Sequence, residues 1–105
     1  MKLSEILRAG KANIEKRGWC QGDEKAVFGG DDRPCCMATA ISMQFDMDDI
    51  QTKGWPAVEA LKIAAGAPLT HGIANWNDAP ERTLAEVLAA YDKAIATAEA
   101  QEQTT

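Results

Sequence analysis

The sequence predicts a compact all-α domain of four or five helices, with a long polar loop, or a short hairpin, at about 22–34. Three observations predict it. Apolar residues recur at three- and four-residue spacing in most segments, the period of a helix with one buried face. Most of those segments begin at a capping residue or a proline, and two of them end at glycine. The 46% apolar share is rich in alanine, the strongest helix former, which leaves Ile, Leu, Val, Met and the three Trp to supply most of the buried area. A chain of 105 residues suffices for one core and not for two. Residues 1–100 therefore read as a single helical domain and 101–105 as a frayed polar tail.

In chain order, Ser4 is positioned to cap a first helix running to about Arg17, with Ile6, Leu7, Gly10 and Ile14 on its inner face and Gly18 as its stop. Residues 22–34 hold three glycines, four acids and a proline, a loop composition in which Ala26, Val27 and Phe28 suffice only for a short strand or an anchor. A second helix starts after Pro34 and uses Cys35, Met37, Ala38, Ala40, Ile41 and Met43. Its apolar stretch faces more than one way, so it should be central, packed between the first and last helices. Asp46, Asp48 and Asp49 suit a turn or a short helix start, where carboxylates accept from free backbone N–H groups. Pro56 suits the first turn of a third main helix with Val58, Leu61 and Ala64 or Ala65 inward, ended by Gly66 and Pro68. A short helix from Thr70 toward Trp76 follows, then a break at Asn77-Asp78-Ala79-Pro80. The strongest local signal is the capping box of Thr83 with Glu86, which opens a final helix carrying Leu84, Val87, Leu88, Tyr91, Ile95 and Ala98 on one face to about Glu99.

Two segments exceed mere patterning: Arg17-Gly18-Trp19-Cys20-Gln21-Gly22 and Trp76-Asn77-Asp78-Ala79-Pro80-Glu81-Arg82-Thr83. With the Pro34-Cys35 helix entry between them, they resemble an uncharacterised family of small bacterial and bacteriophage proteins, a domain of unknown function. The resemblance runs from about Leu3 to Ala98 and implies a fold and a phage or bacterial setting. It implies no catalytic residues.

Each chemical reading competes with a packing role. In the second segment Trp76 suits a core anchor, Asn77 and Asp78 an Asx turn, Pro80 the turn itself, and Arg82 a charged return to Asp78. The site reading makes Asn77, Asp78 and Arg82 a ligand or partner contact. Trp19 suits a lid over the core and Gln21 an amide facing the loop, unless both lie exposed beside Trp76 as an interface patch. Cys20, Cys35, Cys36 and His71 lack the knuckle spacing of a zinc site, because adjacent helical cysteines point about 100° apart. Gln21, Cys35 or Cys36, His71 and Asn75 or Asn77 follow the chain order of a thiol hydrolase, but no strand signal lies near His71. Asp46, Asp48 and Asp49 lack the EF-hand positions and read as a solvated turn. Gly29-Gly30 lacks the lysine of a phosphate loop. No metal and no cofactor is expected.

A net charge of −5 opposes direct nucleic-acid binding, which depends on clustered Lys and Arg, and suits a protein partner with a basic face. Charged residues interrupt every apolar run, so neither a signal peptide nor a membrane span is expected. Three cysteines without an export signal point to reduced thiols and the cytoplasm of a bacterial host cell. The expected function is a non-enzymatic protein-interaction module, an accessory protein that modulates a host protein such as a defence or nucleic-acid-handling factor. The partner- or ligand-binding candidates are Trp19, Gln21, Asn77, Asp78, Arg82, Asp46, Asp48 and Asp49. The alternative is a small-molecule-binding or thiol-dependent hydrolytic domain built on Trp19/Gln21 and Asn77/Asp78.

Overall fold

The last helix organises the domain. In the computed structural model, which describes residues 2–21, 34–67 and 72–103, α6 (Leu84–Gln103) packs along both α1 (Leu3–Arg17) and α4 (Trp55–Ala65). The smaller α2 (Met37–Ser42), α3 (Met47–Asp49) and α5 (Ile73–Asn77) complete the fold. All-α architecture follows as predicted: among the described residues the only β pairing is an isolated parallel bridge between Trp19 and Cys35. The hairpin considered for 22–34 falls almost wholly outside the described residues, as do His71 and the Thr70 start of the short helix.

The core is a single cluster in which Leu7, Met37, Ala40, Ile41, Ala57, Leu61, Val87 and Tyr91 are shut off from solvent. Gly10 allows α1 to approach α6 closely, since a Cβ there would stand 2.9 Å from both Cε1 and Oη of Tyr91. Any larger residue would have to displace a fully buried ring.

Four expectations are corrected. Ser4 does not cap α1. It lies inside the helix, where its hydroxyl donates to Glu102 Oε1 at 2.7 Å, and the end is tied instead by the Lys2 N–H donating to Glu5 Oε1 at 2.7 Å. The helix expected to stop near Glu99 runs to Gln103, because Ser4 holds Glu102 and Arg8 pairs with Glu99. Thus 101–103 form an ordered helix end, while 104–105 lie outside the described residues. The central-helix expectation holds for burial but not for layout: α2 buries Met37, Ala40 and Ile41 yet has only six residues. The first and last helices therefore pack directly on one another. Met43 falls beyond the end of α2 and is 38% exposed.

From α3 into α4 the chain makes one continuous helical run. Asp46 caps α3 by accepting from the Asp49 N–H at 2.8 Å. A π turn at Ile50–Gly54 then leads into α4, with the Trp55 N–H donating to Ile50 O. The wider i→i+5 turn shifts the phase of every residue that follows it.

Candidate functional site

Three segments far apart in sequence meet at Asn77. Gly18 ends α1 with φ +94°, a value that suits glycine and turns the chain sharply. The next residues pair with the segment entering α2: the Cys35 N–H donates to Gly18 O at 3.0 Å and the Cys20 N–H to Cys35 O at 3.2 Å. Asn77, the last residue of α5, then inserts its amide between them and is 1% exposed.

Every hydrogen-bonding position of that amide has a partner. Its oxygen accepts from Trp19 Nε1 at 2.7 Å and from the Met37 N–H at 3.2 Å. Its NH₂ donates to Cys20 O at 3.1 Å and to Asp78 Oδ1 at 3.0 Å. Two lone pairs and two N–H groups exhaust an amide. The Met37 N–H is among those that α2 cannot satisfy internally, so Asn77 also closes the N-terminus of that helix. Gln21 reinforces the joint, its NH₂ donating to Asn77 O at 2.9 Å and Ala79 O at 2.8 Å. From the far side, Tyr91 Oη on α6 donates to Met37 O at 2.6 Å.

The rest of the second motif leads into α6. Arg82 does not return to Asp78 as expected. Its guanidinium carbon sits 3.6 Å from the Trp76 ring centroid, its Nε donates to Trp76 O at 2.9 Å, and its Nη1 reaches Glu86 at 3.1 Å. Stacking on the ring leaves the edge of the guanidinium to the carbonyl, the geometry for which arginine is suited. The predicted capping box is present, with the Thr83 N–H donating to Glu86 Oε1 at 3.0 Å and the Glu86 N–H to Thr83 Oγ1 at 3.2 Å. These bonds, the Thr83 backbone donor foremost, hold the Glu86 carboxyl below the usual range.

Thus the structure brings together Trp19, Gln21, Asn77 and Asp78, and the arrangement is a rivet between helices. Trp19 and Trp76 are part-buried and pack against the core. A ligand could reach the Asn77 amide only by breaking one of its four bonds. Burial pushes the Cys35 thiol up to about 11, the direction opposite to that of a thiolate nucleophile. Cys20, Cys35 and Cys36 are buried thiols, and the Cys36 sulfur accepts from the Thr39 N–H at 3.5 Å as the α2 cap. Among the described residues, no three His, Cys, Asp or Glu side chains converge to hold a metal ion. None of the helices there is long and apolar enough to cross a membrane.

Asp46, Asp48 and Asp49 lie apart from this joint, on the run from α3 through the π turn. Beside them stand two residues that the sequence reading passed over: Met47, 84% exposed, and Trp55, 50% exposed. An apolar Met inside a run of aspartates is the signal that marks this edge. Asp49 also makes a loose 3.9 Å pair with Lys53. A second overlooked feature is a groove of about 500 Å³ between α4 and α6, with Ile63 on its wall. Ile63 falls off the inward series of Val58, Leu61 and Ala65, and that phase is the sequence signal for its exposure.

No curated protein and no solved structure matches the chain. A family model matches residues 1–97, nearly the whole domain including the Asn77 joint. The chain belongs to that family, the family of unknown function DUF6197.

Proposed function

We propose that this protein is a non-enzymatic protein-interaction module that engages a partner with a basic face through the acidic edge formed by Asp46, Met47, Asp48, Asp49 and Trp55. The observation that carries the reading is the exposure of Met47 and Trp55 within a cluster of carboxylates. Met and Trp are enriched where interfaces gain their affinity, while surrounding acids steer a basic partner and speed its approach. Met47, Gln51 and Trp55 stand four residues apart on one helical run and are all exposed. The wider π turn brings positions at that spacing nearly into line. The WCQG and WND motifs support the same reading from the other side, since their polar groups are engaged within the domain.

In this reading the module is a bacterial or bacteriophage accessory protein that works in the host cytoplasm, where its three cysteine thiols stay reduced. It modulates a host protein such as a defence or nucleic-acid-handling factor by covering that protein's basic surface.

Affinity capture from bacterial lysate tests it, comparing the natural chain with an Asp46→Asn, Met47→Ala, Asp48→Asn variant. The expected result is a specific protein retained by the natural chain, weakened by salt and lost with the variant. Identical capture by both chains, or a small molecule carried through purification in place of a protein, would overturn the reading.

A further inference from the structure

The α4/α6 groove has a different chemistry from the acidic edge. Its floor is made of small side chains, Ala60, Ala94 and Ala98, and Leu3 contributes to its lining. Ile63 stands on the α4 wall, 69% exposed, a branched aliphatic side chain beside an apolar trough. Only two charged residues line the groove, and they are opposite in sign and on opposite walls: Glu59 on α4 and Lys93 on α6. Both are exposed, and neither belongs to an ion pair among the described residues.

We infer that this face is the two-fold interface of a homodimer, in which Ile63 of each copy enters the groove of the other and Glu59 of each meets Lys93 of the other. The electrostatics select the occupant. Each copy carries a net charge of −5, so two copies repel over most of their surfaces and approach only where the surface is locally neutral. The groove is neutral in this sense. By contrast, the depression lined by Lys2, Glu5, Glu99 and Glu102 is acidic, as is the Asp46–Asp49 edge. A basic partner is drawn to those surfaces and gains nothing electrostatic from the groove. A two-fold contact also requires one patch to complement itself. A projecting Ile63 beside a trough, with one acid and one base on facing walls, meets that requirement in both shape and charge. The inference goes beyond the acidic-edge reading and uses none of its residues.

Sedimentation velocity over a wide concentration range tests it on the full chain, with circular dichroism of each variant to verify folding. The expected result is a concentration-dependent dimer that Ile63→Asp converts to monomer with the helical signal unchanged. Glu59→Lys alone should weaken dimerisation about 10-fold by placing like charges together. The Glu59→Lys, Lys93→Glu double variant restores the pairing and should recover dimerisation. A monomer at every concentration overturns the inference, as does a dimer indifferent to Ile63→Asp. So does a double variant no better than Glu59→Lys alone.

Discussion

Trp76 and Trp55 are the same residue with opposite fates, and so are Asp78 and Asp48. Near Asn77, indole, amide and carboxylate groups are drawn into a joint in which one side-chain amide makes four hydrogen bonds. Along the α3–π–α4 run, the same kinds of group face solvent. The difference teaches that a motif conspicuous in sequence can be conspicuous for packing, while an unremarkable stretch holds the available surface. A polar group buried without a partner is costly, so a buried polar residue demands a specific set of neighbours. An exposed one demands none.

Substitutions on the two sides should separate accordingly. The largest effect is expected for Asn77→Ala, which strips partners from Trp19 Nε1, the Met37 N–H and Cys20 O at once. A loss on the order of 3 kcal/mol in denaturant unfolding is expected. A loss below about 1 kcal/mol would show that the joint is not a main support of the fold. Tyr91→Phe breaks the 2.6 Å bond to Met37 O from the opposite side and should cost about 1–2 kcal/mol. Combining it with Asn77→Ala should give less than the sum, since both act on Met37.

Thr83→Ala removes half of the capping box and should lower stability by about 1 kcal/mol in the same measurement. No measurable loss would show that another group caps α6. The acid dependence is smaller. The Glu102 carboxyl is held below the usual carboxylate range by the Ser4 hydroxyl first and then by the Ser4 N–H, and Glu86 is held low in the same direction by Thr83. With folded-state values depressed, the unfolded chain binds protons first. The stabilisation is therefore complete above the normal carboxylate range and is lost as pH falls through the folded-state values. Thermal unfolding of Glu102→Gln should be less pH-sensitive across that acidic window than the natural chain. Equal sensitivity would detach Ser4–Glu102 from the acid response. The smallest stability change is expected at the acidic edge, where Asp46→Asn with Asp48→Asn should stay within about 0.5 kcal/mol, because asparagine preserves the α3 cap. If that pair unfolds the domain, the edge is structural and the contrast between the two regions fails.

Much of the fold was legible because its signals are local. The Thr83/Glu86 box, the Gly18 and Gly66 stops, the Pro56 entry and the Asp46 turn depend on residues within a few positions of each other, and each appears where expected. The structure departs from the sequence expectation where the partner is remote. Ser4 is a plausible cap until Glu102, 98 residues away, takes its hydroxyl. Gln101–Gln103 has no apolar period, and the contacts of the last turns with α1, Ser4 to Glu102 and Arg8 to Glu99, lie far away in sequence. The π turn at Ile50–Gly54 likewise left no mark that periodicity could read, yet it sets which way Trp55 faces.

By itself, then, the sequence determined a one-core, acidic, helical chain, most of the positions at which its helices begin and end, and the two motifs that distinguish it. These depend on composition, on the 3.6-residue period and on bonds between near neighbours. Only the tertiary structure decided that Asn77 closes the N-terminus of α2, that α6 rather than α2 organises the packing, and that Met47, Trp55 and Ile63 remain exposed. The physical reason is that burial and hydrogen-bond satisfaction are properties of what surrounds a residue, and those surroundings are assembled from segments that the chain separates by dozens of positions.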